Sequence, residues 1–453
     1  MHAFVLAVWQ QRIEFDGEFA GRSSQTSGAQ SGVHVNLGRV DVHKSATAAI
    51  IAGACILLAP PLALDGRLSA LELSLALLAM TMVLAVFSPK PPKVLFASTL
   101  VFALLTLMAL SALWSVDAVQ TLRDVATVLA LVLAATILVQ SASVQTIIMG
   151  VALSGALVLA WTLVWVVLRP ESAFSEVGAL IGPYGNRNGL AYTLLQTLPA
   201  ALAISVRSRW SLAAKAGYSA LLCFAIYSTQ SKTSLLVMAV VVFAAVAVLL
   251  LVKSKKWGWV LGPIAVGAVV AAATNFSTVL AIIGKSASLN GRAQIWDTLV
   301  GVAAQSPLIG YGWSLSWPQQ GFPSMKVASR LRGVVVYHAH NEMLNWMVTT
   351  GILGVLLVLA IYAFIIWRGI GILRLDTLAG IWVILAGVVL LTRGISEISE
   401  TQPQGWFIFS ILAAVAAQAA ARSSGSKMGE LLVFTLPTSA RIYPRTESGS
   451  VVA

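Results

Sequence analysis

The chain has 453 residues, of which 58% are apolar and only 10% charged. A soluble domain carries about 25% charged residues, so this balance excludes a water-facing globule, a disordered chain and a disulfide scaffold. The formal net charge of +12 has to be sorted by side of a membrane before nucleic acid is considered as a partner.

Residues 1–45 are polar, rich in Gly, Ser and Gln, and read as a flexible cytoplasmic tail. The opening MHAFVLAVWQQR lacks a basic n-region, and its apolar stretch is short for a signal peptide. Across 46–273 nine apolar spans follow: 46–64, 68–87, 94–114, 125–139, 147–168, 189–206, 212–227, 234–251 and 257–273. Residues 274–341 are the longest polar stretch between spans. Three more spans, 343–367, 378–391 and 406–420, fill 342–422, and 423–453 reads as a second flexible cytoplasmic tail. The expectation is an all-α polytopic membrane protein of about twelve transmembrane helices, although the fourth and eleventh spans fall short of the roughly 20 residues a crossing needs. Cys55 and Cys223 both lie within apolar runs, which argues against a structural disulfide or a zinc site.

Basic residues in the short loops orient the chain. With the N-terminus cytoplasmic, the inside loops hold Lys90, Lys93, Arg207, Arg209, Lys215, Lys253, Lys255, Lys256, Arg368 and Arg374, against Asp376 as the single acid. The opposite loops mix signs: Arg67 with Asp65, Arg123 with Asp117 and Asp124, and Arg393 with Glu397 and Glu400. The positive-inside rule then puts both tails in the cytoplasm and 274–341 outside. That outer loop is itself basic, with Lys285, Arg292, Lys326, Arg330 and Arg332 against Asp297. Long loops escape the rule, so the excess is free to serve binding.

Three basic sites fall on the expected outer side: Arg187 in GPYGNRNG, Arg292 in LNGRAQIW, and His338 with His340 in YHAHNEML. Lys232 opens the eighth span from the same side. Helix N-termini carry unpaired N–H groups and partial positive charge that attract phosphate. Asn186 and Asn341 stand at two such ends as N-caps or anion contacts. Arg187 and Lys232 add charge there, and the planar fork of Arg292 suits phosphate oxygens. A lipid-linked diphosphate is the natural guest. Simpler roles compete with this one: a lone Arg at a helix entry is usually an interfacial anchor, a lone Lys snorkels, and either histidine can cap backbone groups. The H-A-H spacing lacks an Asp, Glu or Cys cluster, which speaks against a metal. GPYGNRNG matches neither a phosphate-binding Walker loop nor a dinucleotide fingerprint. No carboxylate lies near the middle of a span, which favours an interfacial enzyme over a cation-coupled transporter.

In order along the chain stand G-x-x-x-N-R-N-G-x-A at 182–191, S-K-T at 231–233, G-R-x-x-I-W at 291–296, S-P-L-I-G-Y-G at 306–312, H-x-H-N-x-x-L at 338–344 and G-I-L-G at 351–354. These blocks resemble the O-antigen ligase and polymerase family of bacterial surface-polysaccharide enzymes. The resemblance covers roughly residues 151–354. It implies a multi-pass glycosyltransferase of the bacterial cytoplasmic (inner) membrane, acting on the outer face. Such an enzyme moves a glycan from undecaprenyl diphosphate to an acceptor sugar, with no metal and no cofactor. By the same resemblance Arg187 and Arg292 hold the diphosphate and His340 is the general base, with His338 orienting the acceptor. Asn186, Lys232 and Asn341 join them as substrate-binding candidates. The acceptor is a lipid-anchored core sugar or a second lipid-linked repeat. A transporter or flippase of lipid-linked solutes and a protein O-oligosaccharyltransferase are the alternatives.

Overall fold

The computed structural model describes residues 33–59, 69–88, 98–254, 256, 292–318, 321–331, 333, 335–395, 397–398 and 402–424. The chain divides into two units, Met1–His43 and Lys44–Ala453; in the first only the start of a helix is described, and the bundle belongs to the second. The main helices are α1 (Val33–Leu57), α2 (Ala70–Val86), α3 (Thr99–Leu110), α4 (Ala118–Ser141), α5 (Val144–Leu168), α6 (Arg187–Ala203), α7 (Arg209–Ser228) and α8 (Lys232–Lys253). After a gap come α9 (Arg292–Ala303), α10 (Ser324–Arg330), α11 (Glu342–Ile372), α12 (Thr377–Gly394) and α13 (Pro403–Ser424).

The apolar spans read from the sequence fall on these helices, except the ninth, 257–273, which lies outside the described residues. α1 begins at Val33, inside the stretch read as a polar tail. Among the described residues, six helices are long and apolar enough to cross a membrane: α4, α5, α8, α11, α12 and the part of α13 from Pro403 to Ala421. Val42–Leu57, Ala70–Val86 and Thr99–Leu113 are shorter apolar helices. The protein is therefore a helical, multi-pass membrane protein. Helices dominate because hydrocarbon offers no partner to backbone N–H and C=O, and a helix pairs them within itself.

Burial sorts the helices into layers. α6 is buried at every position from 190 to 201, and α13 from 404 to 416. α4 packs on α2 and α13, α6 lies among α5, α7 and α12, and α12 also meets α8 and α11. α8 instead turns Leu236, Val242, Phe243, Val246 and Leu249 outward, as does α5 with Leu157, Leu163, Val164 and Val167. Such faces suit lipid, whose tails are as apolar as the residues themselves.

α11 is one long helix broken at Gly351, which has φ 67° and ψ −164°. The break would strand backbone groups, and the segment after α9 satisfies them. Tyr311 N–H donates to Val348 O at 3.0 Å, Gly312 N–H to Thr349 O at 2.9 Å, and Ile352 N–H to Pro307 O at 2.8 Å. Non-helical backbone at membrane depth is tolerated only where protein covers it. The approach is close enough that a side chain at Gly351 would meet the Leu308 backbone, and one at Gly310 (φ 63°) the Thr349 carbonyl. The same segment is anchored to the turn after α3 and to the first half of α4: Trp313 N–H donates to Ser111 Oγ at 2.9 Å and Leu315 N–H to buried Asp124 at 2.9 Å.

Candidate functional site

The start of α11 and the end of α12 meet at one end of the bundle. Asn341 caps α11, accepting from Leu344 N–H at 2.9 Å, while its Nδ2 donates to Ile395 O at 2.9 Å. Gly394 is packed closely against the Glu342 side chain. Just before the cap, the H-A-H turn is pinned at its centre. Ala339 N–H donates to Asn345 Oδ1 at 3.1 Å, and Trp296 Nε1 of α9 donates to Ala339 O at 2.8 Å. His340 then takes φ 50°, an uncommon left-handed conformation for a residue with a side chain. Its backbone N–H donates to His338 Nδ1 at 3.3 Å, and the two rings lie edge to face with centroids 4.2 Å apart.

Glu397 joins the pieces. One carboxylate oxygen pairs with the Arg292 guanidinium, and the other lies 3.3 Å from His340 Nδ1. Thus α9, the turn before α11 and the segment after α12 share one nearly buried carboxylate, with 11% of its side chain exposed. Arg393, buried at the end of α12, stands over the Tyr192 ring of α6 at 3.3 Å from its centroid and donates to Ile398 O. Burial alone would raise the Glu397 carboxyl. The His340 hydrogen bond and the positive Arg292 and Arg393 override it, and the group falls to about 2. It is a carboxylate throughout the physiological range.

His338 is displaced the opposite way. Burial, reinforced by His340, Arg292 and Arg393 and opposed by Glu397, takes its imidazole down to about 3. A histidine held neutral on folding loses stability as pH falls below its unfolded value near 6.5, because the unfolded chain binds the extra proton. The purified protein is therefore expected to lose on the order of 1 kcal/mol per pH unit below that point, down to about pH 3. His338→Gln should flatten a plot of melting temperature against pH over this range; an unchanged slope would remove His338 as its cause.

The remaining candidates lie on the α6 and α8 ends. Asn186 caps α6, accepting from Asn188 N–H at 2.8 Å and Gly189 N–H at 3.3 Å. Of the two roles open to Asn186 from the sequence, N-cap or anion contact, its oxygen takes the cap and engages those two amides. Ser231, the residue ahead of α8, gives no side-chain cap, and its hydroxyl donates to Asn188 Oδ1 at 2.8 Å. This bond ties the starts of α6 and α8 together and puts Arg187 and Lys232, both exposed, at the same end. Tyr192, which Arg393 covers, is five residues into α6 from Arg187, a rise of about 7.5 Å. The structure thus gathers Arg292, His338, His340 and Asn341 directly, with Arg187, Asn186 and Lys232 on the adjoining helix ends. Among the described residues no three His, Cys, Asp or Glu side chains are grouped to hold a metal ion.

Glu397 and Arg393 were not singled out in the sequence. They read there as two of several mixed charges in a short outer loop. The available signal was their i, i+4 spacing at the very end of an apolar span, where a pair can fold back on itself.

Residues 217–359 match the family model described as O-Antigen ligase. The chain is also similar to the exopolysaccharide production protein ExoQ of Rhizobium meliloti (strain 1021), at 23% identity over 280 residues, 57% of this chain and 62% of that protein. It therefore spans about three-fifths of that relative's length. The matched family segment contains Lys232, Arg292 and the H-A-H-N turn, whereas Arg187, Arg393 and Glu397 lie outside it.

Proposed function

We propose that this chain, whose residues 217–359 match the O-Antigen ligase family model, is a membrane glycosyltransferase of surface-polysaccharide synthesis. It moves a glycan from undecaprenyl diphosphate to an acceptor sugar, as ligase or polymerase, at the outer face of the cytoplasmic membrane and without a metal ion. Twelve crossings, cytoplasmic tails and an outer 274–341 loop complete this reading.

The observation that carries it is the carboxylate of Glu397 held between Arg292 and His340. The donor's diphosphate is already a good leaving group, so the protein must stabilise its charge and take a proton from the acceptor hydroxyl. Arg292 meets the diphosphate with its planar fork, and Arg187 and Lys232 add charge from the neighbouring helix ends. Glu397 occupies His340 Nδ1, which leaves Nε2 with the lone pair that accepts the acceptor's proton. Neutral His338 orients that hydroxyl by hydrogen bonding. Attack opposite the leaving group inverts the anomeric centre.

Arg187→Ala, Arg292→Ala and His340→Ala are expected to abolish long surface glycan while the protein still inserts in the membrane. Arg292→Lys should retain about a tenth of activity, because the point charge stays and the bidentate fork is lost. Gel analysis of surface polysaccharide reads both results. Normal glycan in all three alanine variants would overturn the site. In a deletion strain, accumulation of long lipid-linked chains identifies a ligase, and of single repeats a polymerase.

A further inference from the structure

Arg393 stands in the last turn of α12 with only 5% of its surface exposed, an unusual place for a guanidinium. Its carbonyl accepts from Glu397 N–H at 3.0 Å, and its guanidinium reaches forward to donate to the carbonyl of Ile398. One residue therefore grips the chain on both sides of the Glu397 carboxylate.

The guanidinium is itself held from two directions. The Tyr192 ring of α6, wholly buried, has its centroid 3.3 Å away. Glu342 opens α11 with no exposed surface, packs on the adjacent Gly394 and faces Arg393 electrostatically, as Glu397 does. Three helices, α6, α11 and α12, thus meet on one buried cation. Stability alone does not call for this arrangement. Taking three charges out of water is costly, and well-packed apolar side chains often hold such a junction as well or better. What a guanidinium adds is direction: a planar fork of donors and a flat face for an aromatic ring. Here that fork is spent on the backbone beside Glu397, whose two oxygens meet Arg292 and His340.

We propose that Arg393 is a positioning residue for glycan transfer: seated between Tyr192 and Glu342, it clamps the backbone around Glu397 and so fixes the carboxylate that aligns His340. The proposal rests on the glycosyltransferase reading. Arg393 acts through Glu397 and not on the substrate, so its loss is felt in turnover more than in binding.

The test is steady-state transfer by the full-length protein in nanodiscs. A detergent extract of the deletion strain, which accumulates unused donor and acceptor, supplies both substrates. Arg393→Lys keeps the charge beside Glu342 and Glu397 but loses the fork. Its maximal rate should fall about 10- to 100-fold, while the half-saturating amount of extract stays within about threefold. Arg393→Met combined with Glu342→Gln removes one cation and one anion together, so no unmatched charge is left buried. This pair should elute as folded protein and show the same loss of rate. A maximal rate within about twofold of wild type in either variant, or a defect confined to half-saturation, would overturn the clamp. Loss of folded protein in both variants would overturn it too, in favour of a purely structural role. The enzyme reading fails separately, if the wild type transfers no glycan or if Arg292→Ala and His340→Ala transfer it normally.

Discussion

Replacing Glu397 with Gln lowers glycan transfer about 10²- to 10³-fold per folded molecule. The carboxamide is nearly isosteric and still reaches Arg292 and His340. It lacks the charge that fixes the imidazole's tautomer and balances two neighbouring guanidinium groups, Arg292 and Arg393. Glu397→Asp, which keeps the charge but shortens the reach, should recover part of the rate. A structural role alone would lower stability in step with rate; a positioning role lowers the rate in protein that elutes and melts like the wild type. Full activity in the Gln variant would mean that Glu397 does not position the base.

The pH behaviour of this contact has a definite sign. A carboxyl taken from 4.5 down to about 2 adds stability that is complete above its unfolded value and lost progressively as pH falls from there through the folded one. The Arg292–Glu397–His340 contact should therefore persist to about pH 3. Between about pH 5 and 7, acid loss of stability from this cluster comes from His338, and Glu397 adds its own loss only below about pH 5. Melting curves of Glu397→Gln and His338→Gln across that range separate the two.

Gly351→Ala is expected to destabilise the protein by about 3–6 kcal/mol, enough to deplete it from the membrane. Its backbone occupies a region that side chains rarely adopt, and a Cβ would run into the Leu308 backbone. Relief by separation would break the bonds from Tyr311, Gly312 and Ile352 that complete the helix break. Gly217→Ala is the control, since nothing lies within 4 Å of its added Cβ and helix propensity favours Ala. Fluorescence-detected size-exclusion after heating reads both. A Gly351→Ala protein as heat-resistant as the wild type would show that the break is not held by this contact.

These two regions differ in how far the sequence revealed them. S-P-L-I-G-Y-G and G-I-L-G stand out by composition, and their glycines announce unusual backbone. That the first repairs the hydrogen bonds broken by the second is a contact between segments some forty residues apart, and periodicity carries no trace of it. Asn186 and Asn341 read as helix starts in the sequence, and the tertiary structure shows their oxygens engaged by Asn188, Gly189 and Leu344. Arg292 and His340 were named from their motifs; the carboxylate that joins them, 105 residues from one and 57 from the other, was not.

Runs of apolar residues, by their length alone, determined that this protein is a set of helices in a membrane, because a helix is the segment-local way to pair every backbone group in hydrocarbon. Which charges meet was decided by tertiary packing. Ion pairs form where helix ends converge, and that convergence depends on α6, α9, α11 and α12 packing together, which no single stretch of the chain encodes.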